Sequence, residues 1–155
     1  MRITVVAVGQ REASWVNTAV NDYLTRFPKG FTVQLRELKT EPRAGQSALK
    51  LMLSEAKRIE KSVDPDDFLV VLDERGRDLT TVEFAKRIAQ WKDESRNVTF
   101  VIGGPDGLDE TFKKRADFSI RLSSMTLPHA LPRVLLCEQL YRAWSILNNH
   151  PYHRA

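Results

Sequence analysis

The chain reads as an α/β protein, an open and mostly parallel sheet with helices on both faces. Three observations predict this. Ile3 to Val8, Phe68 to Leu72 and Val98 to Ile102 are short apolar runs of the length and composition of buried strands. Stretches with apolar residues at helical spacing separate them. Strand-like and helix-like segments alternate five times along 155 residues, and that alternation favours parallel neighbours joined by helical crossovers.

The first strand, Ile3 to Val8, ends at Gly9. Trp15, Val16, Ala19, Val20, Tyr23, Leu24 and Phe27 then recur at helical spacing, after a candidate cap at Ser14. Pro28-Lys29-Gly30 stops that helix, and Phe31, Val33 and Leu35 alternate with polar residues as in a half-exposed strand. Residues 40–46 are basic, contain Pro and Gly, and read as a loop. Leu49, Met52, Leu53, Ala56 and Ile59 define a second amphipathic helix, which Asp64-Pro65-Asp66 breaks. Phe68 to Leu72 is a buried strand, with Asp73-Glu74-Arg75-Gly76-Arg77 as the loop at its end. Thr80 and Glu83 fit a capping box for a third helix carrying Phe84, Ala85, Ile88 and Trp91. After the strand at 98–102, Leu108 and Phe112 mark a short helix, and Phe118, Ile120 and Leu122 alternate as a last strand. Pro132 suits the first turn of a helix running to about Leu147.

Composition narrows the class. Hydrophobic residues make up 42% and charged residues 28%, ordinary for one soluble domain, here residues 1–155. No apolar run approaches the ~20 residues of a membrane span, and Met1-Arg2 opens no signal-peptide pattern. The single cysteine, Cys137, excludes an internal disulfide framework and a cysteine-based zinc site. A reducing cytoplasm and no metal are expected. A formal charge of +4 is compatible with an RNA partner without requiring one.

Sheets of this kind bind ligands at the carboxyl ends of their strands. The candidate site is therefore sought at Gly9, after Leu72, after Ile102 and after Leu122. Gly103-Gly104-Pro105-Asp106-Gly107 fits a steric turn or a backbone approaching a ligand closely; it is neither GxGxxG nor a Walker loop. Leu122-Ser123-Ser124-Met125-Thr126-Leu127-Pro128 mixes hydroxyl and apolar residues, as the wall of a pocket for a partly polar ligand does. The last helix carries apolar residues around nearly its whole circumference. It is expected to be buried on two sides, within the domain or against a second copy, and homodimerisation is expected on that pattern. Arg142 on it requires an anionic partner if buried. His150, Tyr152, His153 and Arg154 crowd the terminus with rings that stack on bases and a guanidinium that pairs with phosphate. No nucleophile triad is legible from spacing.

Four motifs in order carry a family resemblance: Val101-Ile102-Gly103-Gly104-Pro105-Asp106-Gly107-Leu108, Thr126-Leu127-Pro128-His129, Glu138-Gln139-Leu140-Tyr141-Arg142-Ala143-Trp144, and Asn149-His150-Pro151-Tyr152-His153-Arg154. With Ala7-Val8-Gly9 and Leu72-Asp73 they resemble, over the full length, the RlmH family of bacterial knotted SPOUT methyltransferases. Asp106 stands where glutamate is as common, and Pro132 where valine is. The resemblance implies a C-terminal trefoil knot, otherwise almost absent from proteins. It implies S-adenosylmethionine as cofactor and a homodimer with the cofactor near the subunit boundary. The implied substrate is a pseudouridine of 23S rRNA, methylated at N3 on the assembled ribosome. It implies that Leu72, Gly103, Gly104 and the run Leu122, Ser123, Ser124, Met125, Thr126 and Leu127 line the cofactor site, and that Arg142 and the 150–154 tail face the RNA. On that basis His153 is the expected general base, with Asp106 as runner-up, and Arg142 or Arg154 stabilises charge on the base's carbonyl oxygens. A non-catalytic ribosome-binding factor and a transfer-RNA methyltransferase of the same fold remain as alternatives. A small-molecule enzyme lacks a visible nucleophile or phosphate loop.

Overall fold

The computed structural model describes residues 1–10, 12–43 and 45–154. Its elements alternate as β1 (Arg2–Val8), α1 (Ser14–Leu24), β2 (Thr32–Leu38), α2 (Ala48–Ser62), β3 (Phe68–Asp78), α3 (Thr81–Asp93), β4 (Val98–Ile102), α4 (Glu110–Lys114), β5 (Phe118–Arg121) and α5 (Leu131–Leu147). The strands form one sheet in the order β2-β1-β4-β3-β5, and every pairing is parallel.

The apolar runs explain the centre of that order. β1 and β4 have neighbours on both edges and helices on both faces, and every residue of β4 is buried. Val5, Val70, Val98 and Phe100 join the core beneath α3 and α5, where Ile88, Trp91, Leu136 and Leu140 pack. Val6, Val8, Val71 and Val101 join the core on the other face with Ala56 and Ile59 of α2 and Phe112 of α4. Each large apolar side chain removed from water contributes about 1.5–3 kcal/mol, so the sheet's two faces are the main source of stability. Helix α5 lies on the sheet through Leu136 and Leu140. Its Cys137 meets Val16 and Val20 of α1, and its Gln139 accepts a hydrogen bond from Thr81 at the start of α3 (2.9 Å). Part of its all-round apolar character is thus used inside the domain. Burial pushes the Cys137 thiol up to about 12, so it stays protonated and unreactive at neutral pH.

Three helix caps follow local chemistry, whereas α1 and α5 start without a side-chain cap, α5 after Ala130. Thr80 accepts from the Glu83 amide (3.1 Å), Asp109 from that of Phe112 (3.0 Å), and Ser47 from that of Lys50 (3.3 Å). Ser14 lies inside α1 instead, and the capping position is Ala13, with no side-chain bond. Asn17 ties the entry down by donating to the Glu12 carbonyl (3.2 Å).

Two expectations need correction. The segment after Leu72 is not a terminal loop, because β3 runs on to Asp78. Leu72 and Arg77 both pair with Ile120, so residues 73–76 bulge out and the strand returns to the sheet. The return passes so close to β5 that a Cβ on Gly76 would lie 2.5 Å from the Ile120 carbonyl carbon; glycine is required there for space. Helix α2 is also rotated from the expected face. Leu51, Glu55, Ala56 and Ile59 are buried, whereas Leu49 and Leu53 remain 74% and 49% exposed.

Candidate functional site

A cavity of about 530 Å³ opens at the carboxyl edge of the sheet. The ends of β3, β4 and β5 converge there. Leu72 and Asp73 come from the bulge, Gly103 to Gly107 from the turn after β4, and Leu122, Ser123, Met125, Thr126 and Leu127 from the segment after β5. His129 and Pro132, at the entrance to α5, form another wall, and Met52 of α2 another. Of the residues expected to hold a cofactor, only Ser124 is outside the lining. Asp106 lies inside it, paired with Arg43 (2.6 Å).

Glycine is needed at the start of that turn, where a Cβ on Gly103 would lie 2.9 Å from the Gly107 backbone, and α2 stands behind the next residue. A Cβ on Gly104 would meet Glu55 Oε1 at 2.7 Å. Burial pushes the Glu55 carboxyl above the usual range; the Glu41 backbone hydrogen bond opposes this, and the Asp106 charge adds to it. A raised carboxyl pKa penalises the charged form, so the native state loses stability as pH rises through it. Glu55→Gln is therefore expected to melt with the parent near about pH 4 and above it near about pH 8. Thermal unfolding at both pH values checks this. A gap that widens on acidification would contradict it.

Three of the cavity's charged groups form one ion cluster. Lys113 pairs with Asp73 (3.3 Å) and Glu110 (2.8 Å). Burial pulls its ammonium down, but those two carboxylates outweigh that and hold it above the ordinary value. His129 Nε2 is buried without a hydrogen-bond partner. Ser123 Oγ accepts from the Met125 amide (2.9 Å), shaping a turn that leaves Met125 76% exposed at the rim.

The terminal segment forms a separate cluster. Arg142 Nε donates to Glu138 Oε1 (2.8 Å), one turn earlier on α5, which meets the need for an anionic partner. Arg142 Nη1 lies 3.2 Å from His153 Nδ1, and the guanidinium sits 4.7 Å over the Tyr152 ring. The Tyr152 hydroxyl donates to Glu138 Oε1 (3.1 Å) and lies 3.2 Å from the Tyr23 hydroxyl. Burial, followed by these bonds, raises its pKa. His150 packs against Tyr141 and Trp144, and Arg154 is exposed. Glu138 and Tyr23 are the anchors that sequence reasoning passed over. The i,i+4 spacing of Glu138 and Arg142 was the available signal for the first; nothing local signals the second.

One chain does not bring the two clusters together. Arg142, His150, Tyr152, His153 and Arg154 are absent from the cavity lining. Pro132 is at the cavity and Arg142 ten residues on, about 15 Å further along the helix axis.

Volume decides which recess suits a cofactor. A second hollow between α3, β5 and α5 holds only about 220 Å³, below the roughly 300–1,000 Å³ of ligand pockets. Among the described residues no cluster of His, Cys, Asp and Glu could hold a metal, and no helix is long and apolar enough to cross a membrane.

A parallel sheet with a backbone-rich cavity at its strand ends defines an α/β protein built to hold a small organic ligand. The chain belongs to the SPOUT methyltransferase family, whose model, described as "Predicted SPOUT methyltransferase", matches residues 1–153. A protein named ribosomal RNA large subunit methyltransferase H from Bordetella petrii is 52% identical over 156 residues, covering 100% of both chains. Its namesake from Albidiferax ferrireducens is 53% identical over 154 residues, 99% of each. Among solved structures, a probable methylase family protein from Haemophilus influenzae shares the fold at 20% identity and a TM-score of 0.56, covering 99% of this chain and 70% of its own. A probable methyltransferase from Bordetella pertussis does so at 16% and 0.54, covering 92% and 95%.

Proposed function

We propose that this chain is a cytoplasmic, homodimeric S-adenosylmethionine-dependent methyltransferase that methylates N3 of a pseudouridine in 23S rRNA on the assembled ribosome. The observation that carries it is the convergence of three strand-end segments on one cavity, in a chain about half identical to large-subunit rRNA methyltransferases. The family's knot belongs to the same reading. The segment after β5 must travel from the sheet edge to β1, since His129, just before α5, and Arg133 in its first turn lie beside Gly9.

The residues fit the cofactor. Leu72, Leu122 and Leu127 give apolar walls, Gly103 and Gly104 give backbone without side chains, and Thr126 gives an exposed hydroxyl. When bound, S-adenosylmethionine supplies an electrophilic methyl group on a sulfonium. The protein's task is then to orient the acceptor and to take its proton, because an imide nitrogen is mostly protonated at neutral pH.

Arginine only donates, so Arg142 Nη1 holds His153 Nδ1 as an acceptor. That lone pair is the base in this mechanism: the N3–H of the target takes the place of the guanidinium, and Nδ1 removes the proton. Arg142, still fixed by Glu138, then turns to a flanking carbonyl oxygen, and Arg154 holds the RNA. Asp106, neutralised by Arg43, is the second candidate base.

The test is methyl transfer from labelled cofactor to ribosomes lacking the modification. The parent chain is expected to label them, and His153→Ala to cut the rate at saturating ribosomes about 10²-fold. A rate within a factor of a few of the parent removes His153 as the base. An inactive parent removes the whole reading.

A further inference from the structure

The exposed face of α2 is unexplained by anything above. Lys50, Lys57 and Lys61 are all exposed and fall within about 40° of one line along the helix, opposite the buried face. The row is about 16 Å long. None of the three has an ion-pair partner among the described residues, unlike Arg43, Arg58 and Lys113. Residues 36–61 hold seven Lys and Arg against four Asp and Glu, which accounts for most of the chain's +4. Leu49 and Leu53 are exposed beside the row, an arrangement water alone does not favour.

The same helix touches the cofactor cavity. Met52 lines it, Glu55 backs Gly104, and Arg43 in the preceding loop holds Asp106. A polyanion lying along the lysines therefore follows the outer side of the helix whose inner side walls the cavity. We propose that the outer face of α2 is the docking surface for the sugar-phosphate backbone of the rRNA flanking the target nucleotide. The lysines neutralise phosphates, and Leu49 and Leu53 cover riboses and base faces next to them. Charge complementarity favours RNA over a protein partner or a second copy of the chain. The inference rests on the rRNA reading and says where that substrate binds.

The experiment compares the full chain with Lys50→Gln/Lys57→Gln/Lys61→Gln, all exposed positions that tolerate substitution. Three quantities are read: cofactor affinity by calorimetry, KM and kcat on ribosomes, and the salt dependence of binding to a protein-free 23S stem-loop. The expected result is an unchanged cofactor affinity, a KM raised ~10-fold or more with kcat preserved, and a salt slope shallower by about 2–3. A parental KM and slope overturn the proposal. A raised KM on ribosomes with parental binding to the bare stem-loop also overturns it, and assigns the face to a ribosomal protein. Stem-loop binding needs no turnover, so a parent that binds through these lysines yet transfers no methyl group would sink the proposed reaction and leave the docking surface standing.

Discussion

Arg133→Ala is expected to destabilise the native chain by about 3–5 kcal/mol, the range for breaking a buried ion pair from one side. Arg133 is 1% exposed, among the largest fully buried side chains. Its guanidinium binds Glu37 Oε2 (2.8 Å), the Gly9 carbonyl (3.2 Å) and Glu12 Oε1 (3.4 Å). Gly9 follows β1, Glu37 is at the end of β2 and Glu12 leads into α1, so one residue of α5 fastens the helix entrance to two strand ends and the approach to α1. The fit leaves no spare space. Gly9 adopts φ +129°, and a Cβ on it would lie 2.7 Å from Glu12 and 3.1 Å from Arg133. Truncation leaves two carboxylates facing each other without a cation, plus a hole the size of the lost side chain. Native stabilities are typically only about 5–15 kcal/mol, so this is a large share. Urea unfolding measures it. Arg133→Met/Glu12→Gln/Glu37→Gln, which removes both sides of the cluster, is expected to recover most of the loss. His129 and Pro132, four residues and one residue before Arg133, wall the cavity, so cofactor affinity is expected to fall in Arg133→Ala before global unfolding. A loss under about 1 kcal/mol would mean that apolar packing alone holds α5 in place.

Arg133 also marks where sequence reading stopped. The alternation of buried strands and amphipathic helices is written in local periodicity, and the sheet follows it. Strand order is not local, since period 2 and period 3.6 reveal which face is buried and not which strand is the neighbour. The bulge of β3 was hidden for that reason. Asp73 to Arg77 is charged enough to pass for a solvated loop, and its partner Ile120 lies more than forty residues away. On α2, two overlapping apolar stripes compete. The winner includes Glu55, a residue that a hydrophobic count discards, and the loser leaves Leu49 and Leu53 in water. That the segments after Leu72, Ile102 and Leu122 meet at one cavity was legible because strand ends in parallel sheets meet on one edge. The distance between cavity and tail was not, because it depends on where α5 points once it leaves Pro132.

That distance leads to the second large effect. A single chain holds the cavity at one end of α5 and the Arg142–His153 cluster far along it, so the tail that presents the base is inferred to come from a second copy. An isologous dimer supplies two such composite sites. Thr126→Trp fills the cavity from an exposed lining position, while His153→Ala/Arg154→Ala disables the tail and leaves the cavity intact. Each variant alone is expected to lose about 10²-fold or more in methyl transfer. Co-expressed in equal amounts, they pair at random, and half the dimers are mixed. Each mixed dimer combines the intact cavity of one subunit with the intact tail of the other at one site, and both lesions meet at the other site. Activity is then expected to return to about a quarter of the parent's. Methylation of ribosomes by the unsorted mixture reads it directly, and mixed dimers isolated through two different affinity tags are expected to reach about half of the parent's activity. A mixture no more active than the two variants assayed apart would place tail and cavity in the same subunit, and the terminal segment would then have to swing the length of α5 to reach its own cofactor.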